Sequence, residues 1–122
     1  MSRVSRSKFL MSPDLSLVFE YLHPEQKGRV LTGYKLFRFL RDGGKLSNSL
    51  SHGELLILRE FGAERLRSRF RAPTLTAWRS ADPWAGVGHV VPVLLLYQDS
   101  LPISWCPLSG AWAEKNPAAL FI

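Results

Sequence analysis

Arginine occupies every second position of the segment Arg65–Arg71, which reads RLRSRFR. If the segment is an extended strand, alternate side chains project from the same face about 6.6 Å apart. A row of guanidinium groups at that spacing presents paired N–H donors to phosphate or carboxylate oxygens. The period of two therefore predicts an anion-binding strand face, to which a neighbouring strand adds one more side chain. The predicted anion-binding residues are Arg59, Arg65, Arg67, Arg69 and Arg71.

Two partner classes fit this arginine row, and a third explanation needs no partner. The row suits either nucleic acid or an acidic protein surface. Trp78 and Trp84 lie close by in sequence, and they would either contact that partner or pack in the core. The alternative without a partner is a solvated outer face, on which arginine protects a sheet edge from pairing with other chains.

The other residues capable of chemistry form no catalytic set. His23, His52 and His89 stand in three separate regions, and none has a second His or Cys at the spacing of metal ligands. Cys106 lies in a predicted strand, where a buried structural thiol is the commoner state. The sequence contains neither a serine nucleophile elbow nor a glycine-rich phosphate-binding motif. We therefore predict no catalytic residue, no metal and no cofactor.

Positive charge is concentrated in the first two-thirds of the chain. The formal net charge is +6, and residues 1–80 hold 15 of the 16 basic residues but only 7 of the 10 acidic ones. Such an asymmetry favours an anionic macromolecule as partner. A small excess of charge also serves solubility alone, so the composition leaves both explanations open.

The length of 122 residues suits one hydrophobic core. Residues 1–11 are basic and free of acids, so we expect a basic N-terminal arm followed by a single α+β domain over residues 12–122. The single cysteine excludes an internal disulfide and fits the cytoplasm or another reducing compartment. We expect no membrane span and no secretion, because no apolar run has the length that a span or a secretory signal requires.

The strongest strand signal is the segment Val90–Cys106. A continuous apolar run from Val90 to Tyr97 is followed by a polar turn and by a return strand in which every second residue is apolar. An apolar run of this kind has to be covered on both faces. Pro92 has no N–H to donate to a ladder, which predicts that it lies on an edge or at a strand start.

Two helices are predicted in the first third of the chain. Ser12, Pro13 and Asp14 combine an N-cap, a first-turn proline and an acid near the positive end of the helix dipole. Together with the apolar spacing that follows, they predict a helix over residues 12–23. A second helix is predicted at Thr32–Arg41. Its basic residues share the side opposite its apolar stripe, and they are Lys35, Arg38 and Arg41.

Antiparallel hairpins are predicted to fill the rest of the domain. Leu55–Glu60 is apolar on both faces and is predicted to pair with Arg65–Arg71, and Thr74–Trp78 extends this unit. Residues 80–88 are predicted as a loop from their Pro, Gly and Asp content, and Ala111–Lys115 as a helical turn. The predicted fold class is α+β, with an antiparallel sheet of hairpins and the N-terminal helices packed on one face.

The order of these elements resembles that of chorismate lyase and of the related ligand-binding (UTRA) domains of GntR-type transcription factors. The resemblance runs roughly from residue 36 to residue 122 and rests on four segments. They are LFRFLRDGGKLSNSL at Leu36–Leu50, LLILREFGAE at Leu55–Glu64, VLLLYQDSLPI at Val93–Ile103 and KNPAALF at Lys115–Phe121. The family's lyase holds its anionic substrate with an arginine just before the central apolar run, where this chain has Pro92. The resemblance therefore implies the fold without the lyase's charged groups.

These observations favour a non-catalytic binding module or accessory subunit with a chorismate-lyase-like fold. It would contact an anionic macromolecule through the arginine-rich strand. One alternative is a chorismate-lyase-type enzyme or a small aromatic-acid-binding domain, in which an arginine such as Arg59 points into a pocket between helices and sheet. Another is a structural subunit, held in a larger assembly through the aromatic loop Trp78–Trp84.

Overall fold

Helices and strands follow one another in mixed order along the chain. The computed structural model describes residues 2–81 and 89–122. The α-helices there are α1 (Ser2–Met11), α2 (Gly33–Asp42), α3 (His52–Arg59) and α4 (Ala63–Arg69). The strands are β1 (Val18–Tyr21), β2 (Leu31–Thr32), β3 (Thr74–Thr76), β4 (Val90–Leu95), β5 (Ile103–Pro107), β6 (Ala111–Trp112) and β7 (Ala118–Phe121). Short 3-10 turns lie at Leu15–Leu17, Pro24–Gln26, Leu46–Asn48 and Trp78–Ser80.

Five of the described strands form one mixed sheet in the order β1-β7-β3-β4-β5. β3 and β7 are parallel, and the other neighbouring strands are antiparallel, with Val18 opposite Phe121 and Val91 opposite Cys106. β2 and β6 form a separate two-stranded antiparallel sheet. The predicted α+β class is therefore confirmed, with mostly antiparallel strands.

The side chains of β7 alternate between two halves of the core. Ala119 and Phe121 belong to one buried cluster, which also contains residues of α1, α3 and α4. Ala118 and Leu120 belong to a second cluster, which contains the buried leucine and phenylalanine side chains of α2. Because successive side chains of a strand point to opposite faces, helices cover both faces of the sheet.

The helix predicted at Thr32–Arg41 is confirmed as α2. Thr32 Oγ1 accepts a hydrogen bond from Lys35 N at 3.3 Å, which caps the first turn. The helix ends before Gly44, whose φ of 73° suits a residue without a side chain. Gly33 lets α2 approach its neighbours closely, because a Cβ at this position would lie 2.7 Å from Leu108 O.

The hairpin predicted at Val90–Cys106 is confirmed as β4 and β5. Pro92, however, lies inside β4, which is an internal strand. Its carbonyl accepts a hydrogen bond from Ala77 N at 3.0 Å, just after β3 ends at Thr76. The side of Pro92 that lacks an N–H therefore faces Ala77, which lies after the end of β3, so no hydrogen bond within the β3–β4 ladder is lost.

The helix predicted over residues 12–23 is wrong. Asp14 caps a single 3-10 turn, and its carboxylate accepts a hydrogen bond from Ser16 N at 2.9 Å before the chain enters β1. That hydrogen bond lowers the pKa of Asp14. β1 forms because all four of its residues pair with β7, a partner far along the chain that local spacing does not reveal.

The hairpin predicted from Leu55–Glu60 and Arg65–Arg71 is also wrong, because these segments lie in the helices α3 and α4. Ser51 and Glu54 form a capping box at the start of α3. Ser51 Oγ accepts a hydrogen bond from Glu54 N at 3.3 Å, and Glu54 Oε1 accepts one from Ser51 N at 2.8 Å. This reciprocal cap satisfies two of the backbone groups that a helix start leaves unpaired.

The start of α4 follows Gly62, whose φ of 90° favours glycine. Leu66 and Phe70 are buried while Ser68 between them is exposed, which fits helical spacing, because a strand would place all three on one face. The strand predicted at Thr74–Trp78 is present in part as β3. The loop predicted at residues 80–88 lies outside the described residues from residue 82 onward.

Two further segments differ from their predicted form. Ala111–Lys115, predicted as a helical turn, begins with β6, which pairs with β2. The segment predicted as a basic arm contains α1, and Phe9 of α1 is buried in the core. Arg6 of α1 donates from Nε to Glu54 Oε2 at 2.8 Å and from Nη2 to Ser49 O at 2.6 Å. These bonds fix α1 to the start of α3.

Candidate functional site

The arginines of α4 point to separate partners. Successive residues of a helix are rotated by about 100° around its axis, so alternate side chains do not share a face. Arg67 donates from Nε to Leu96 O at 2.6 Å and from Nη1 to Asp99 Oδ1 at 2.8 Å. The guanidinium carbon of Arg65 lies 4.8 Å from the centroid of the Phe61 ring. The strand face predicted from this segment is therefore wrong.

The other predicted anion-binding arginines are also dispersed. Arg69 Nη2 donates to Val18 O at 2.8 Å, which ties the end of α4 to β1. Arg59 is the last residue of α3, and Arg71 follows α4. The structure does not bring these residues into one row, so anion binding by any one of them stays a separate prediction.

The two tryptophans predicted to contact a partner have different outcomes. Trp78 has a relative exposure of 0%. Its ring centroid lies 5.1 Å from that of Trp112, within the cluster beneath α2. The prediction that Trp78 contacts a partner is corrected, because the residue is a core residue. Trp84 lies outside the described residues.

A positive surface lies on the side of α2 that faces solvent. The basic residues of α2 are exposed and occupy positions three apart, which lie on one side of a helix. The buried stripe of the same helix forms the opposite side. Two arginines from other segments extend this surface through shared pockets. We call it the α2 basic face, and it comprises Arg29, Lys35, Arg38, Arg41 and Arg79.

The first pocket of this face has a volume of about 430 Å³ and lies beside the middle of α2. Its basic lining residues are Arg29, Lys35 and Arg38. Phe39 and Val30 contribute apolar wall. Asp42 also lines the pocket, so three cations and one carboxylate stand at this opening.

The second pocket has a volume of about 400 Å³ and lies beyond the end of α2. It is lined by Arg41 and Arg79 together with Gly44 and Ser47. Arg79 Nη1 donates to Ser47 O at 3.2 Å, which holds the arginine at the rim of the pocket. Two guanidinium groups from different segments therefore converge here.

The carboxylates of this surface leave it with an excess of positive charge. Asp42 Oδ1 pairs with Arg41 Nε at 3.1 Å, and Glu25 pairs with Arg29. Both pairs are solvent-exposed, where ion pairs contribute little and exchange readily. Lys35 and Arg38 have no side-chain hydrogen bond or ion pair with any described residue.

Sequence reasoning found part of this face. Helical spacing places Lys35, Arg38 and Arg41 on one side of α2, but these residues are not among the predicted site residues. Arg29 and Arg79 join the face only through folding, since one precedes β2 and the other lies in the 3-10 turn after β3. No local pattern links these two residues to α2.

Each of the three histidines lies against an aromatic side chain, and the three lie in separate regions of the chain. Their aromatic neighbours are Phe39 for His23, Trp105 for His52 and Tyr34 for His89. Within residues 2–81 and 89–122, no group of three or more His, Cys, Asp or Glu side chains is placed to hold a metal ion. No helix in the described part of the chain is both long and apolar enough to span a membrane.

Comparison with known proteins returned no matching family model, no matching curated protein and no matching solved structure.

Proposed function

We propose that this protein is a non-catalytic binding module, acting alone or as an accessory subunit, that contacts nucleic acid through the α2 basic face. The observation that carries the proposal is the exposed side of α2. Lys35 and Arg38 project there without an ion pair among the described residues. Contacts of Lys and Arg with phosphates supply most of the sequence-independent affinity for nucleic acid.

The two pockets of the face suit phosphate groups. Arginine binds a phosphate through parallel N–H···O bonds, and its planar charge is only weakly hydrated. Arg38 and Arg29 stand at one opening, and Arg41 and Arg79 stand at the other. Two cationic openings beside one helix would receive two phosphates of the same strand.

The composition of the surface favours nucleic acid over an acidic protein. Protein interfaces have a core of apolar and aromatic anchor residues inside a polar rim. Among the described residues of this surface, Val30 is a large exposed apolar side chain at 62%. Tyr34 of α2 is also exposed, at 36%, on the same side of the helix as Arg38 and Arg41, and its Oη is hydrogen bonded to His89 Nδ1 at 2.6 Å. The face therefore offers more charged side chains than apolar ones, unlike the core of a protein interface.

Fluorescence anisotropy with a labelled single strand and a matched duplex tests the proposal. We expect binding at low salt that is weakened in the double variant Lys35→Gln/Arg38→Gln. The matched control is Lys8→Gln, which removes an exposed cation of α1 outside the face. Polyglutamate serves as the competing probe. Binding of polyglutamate alone would favour an acidic protein partner and overturn the nucleic-acid proposal. Binding of neither polymer would also overturn it.

Several predictions from the sequence accompany this proposal. A chorismate-lyase-like fold and an aromatic-acid activity stay predictions, and release of pyruvate from chorismate by the purified protein would support the enzyme alternative. A structural role within a larger assembly also stays a prediction. A reducing compartment such as the cytoplasm also stays a prediction.

A further inference from the structure

A pocket separate from the α2 basic face opens beside β1 and has a volume of about 570 Å³. This volume falls within the range of small-molecule sites, which is about 300–1,000 Å³. Leu22, Pro73 and Pro117 form its apolar wall. Its charged lining residues are Glu20, Arg71, Glu114 and Lys115.

Both carboxylates of this pocket are occupied by backbone donors. Glu20 Oε1 accepts a hydrogen bond from Arg71 N at 2.8 Å, and Glu20 Oε2 accepts one from Ala72 N at 3.1 Å. Glu114 Oε1 accepts a hydrogen bond from Gly28 N at 2.5 Å. Their negative charge is therefore partly satisfied within the fold.

The two cations of the pocket have no such partner. Neither the guanidinium of Arg71 nor the ammonium of Lys115 makes a hydrogen bond or ion pair with a described residue. The backbone of Arg71 is held by Glu20, so the base of this side chain has a fixed position. The donors left for a ligand are thus positive, and they stand beside an apolar wall.

We propose that this pocket binds a small organic anion, in which a carboxylate or phosphate monoester is joined to an apolar body. Arg71 and Lys115 would bind the anionic group, and the body would lie against Leu22 and the two prolines. The pocket shares no residue with the α2 basic face. The proposal therefore stands independently of nucleic-acid binding.

Two-dimensional ¹H–¹⁵N NMR of the full chain, titrated separately with phenyl phosphate and benzoate, tests this site. We expect saturable shifts of the amide signals of Arg71, Ala72 and Lys115. Benzyl alcohol carries the same ring without the charge and serves as the neutral control probe. Arg71→Gln is expected to raise the Kd by about tenfold, because it removes hydrogen bonds to a charged group. Lys8→Gln, which removes an exposed cation of α1, should leave the Kd unchanged.

The outcomes distinguish a phosphate ligand from a carboxylate ligand, and they distinguish this proposal from the nucleic-acid proposal. Binding of one probe that depends on Arg71 supports the site and identifies phosphate or carboxylate as the preferred group. If the spectrum shows that Arg71→Gln is unfolded, Lys115→Gln takes its place. The proposal is overturned by the absence of saturable shifts, by an unchanged Kd in these variants, or by equal shifts with benzyl alcohol. Lys35→Gln/Arg38→Gln should bind the probes normally, and Arg71→Gln should bind oligonucleotides normally.

Discussion

Arg67 of α4 pairs with Asp99 in the turn between β4 and β5, with 2.8 Å between Arg67 Nη1 and Asp99 Oδ1. The same guanidinium donates from Nε to Leu96 O at 2.6 Å, close to the end of β4. One arginine thus fixes the helix against the tip of the central hairpin. Its charge is engaged within the fold, which distinguishes it from Lys35 and Arg38 on the α2 basic face.

Arg67→Gln should lower the free energy of unfolding by about 0.5–1.5 kcal/mol, mainly through the loss of the hydrogen bond to Leu96 O. The ion pair itself is largely exposed, at 41% for the Arg67 side chain and 92% for that of Asp99, and contributes less. Asp99→Asn should therefore cost less than Arg67→Gln in urea denaturation. Arg65→Gln is the control, and equal stability of Arg67→Gln and Arg65→Gln would contradict this account.

Glu54→Ala should destabilise the protein far more, by about 3 kcal/mol, because it leaves the charge of Arg6 without its carboxylate partner, with backbone oxygens as the remaining acceptors. The Glu54 side chain is only 7% exposed and that of Arg6 17%. Glu54→Gln retains an acceptor for the cap at Ser51 but loses the charge. Its stability should therefore lie between that of the wild type and that of Glu54→Ala. Urea unfolding monitored by circular dichroism measures this, and a cost below about 1 kcal/mol for Glu54→Ala would refute the buried pair as a stabilising clamp.

Acid should weaken the fold through His23. Burial lowers the pKa of His23 from its usual 6.5, and its Nδ1 accepts a hydrogen bond from Glu25 N at 3.0 Å, which requires the neutral ring. The stability that this group contributes is fully present above pH 6.5 and is lost as the pH falls through the lower folded-state pKa.

The measurement for His23 is the Tm of the protein between about pH 7 and about pH 5. His23→Asn keeps a capping acceptor that does not titrate, so its Tm should fall less across this range. His52→Gln is the matched control and should follow the wild type. The interpretation fails if His23→Asn shows the same loss of Tm as the wild type.

Gly33→Ala should cost about 1–3 kcal/mol through overpacking. Its Cβ would lie 2.7 Å from Leu108 O and 2.8 Å from Trp112 Cζ3. Gly53→Ala is the control, because the atom nearest to its Cβ, Ser51 Oγ, would be 3.9 Å away. Thermal unfolding of both variants measures the difference. A Gly33→Ala protein as stable as Gly53→Ala would show that α2 is not closely packed against Leu108 and Trp112.

The elements predicted correctly are those whose signals are local. Thr32 and the glycines after α2 mark the ends of that helix, and the apolar run of β4 with its polar turn marks the hairpin. The Ser51–Glu54 capping box was a readable helix signal, but the apolar run after it also fitted a buried strand. The arginines of Arg65–Arg71 have the period of a strand, but only Leu66 and Phe70 of the alternate residues are buried, and Ser68 is exposed as helical spacing requires.

The candidate site was predictable only where it lies on one helix. Lys35, Arg38 and Arg41 share a side because of helical spacing. Arg29 and Arg79 reach the same surface through the packing of separate segments, which no spacing encodes. The same holds for β1, whose pairing with β7 depends on a distant partner.

The most direct test of the α2 basic face is the salt dependence of oligonucleotide binding. For a duplex, the slope of log Kobs against log salt changes by about 0.9 for each phosphate contact. Lys35→Gln/Arg38→Gln should therefore give a slope shallower by about 1.8 than that of the wild type, and Lys8→Gln should keep the wild-type slope. A double variant with the wild-type slope and affinity would contradict the claim that this face binds nucleic acid.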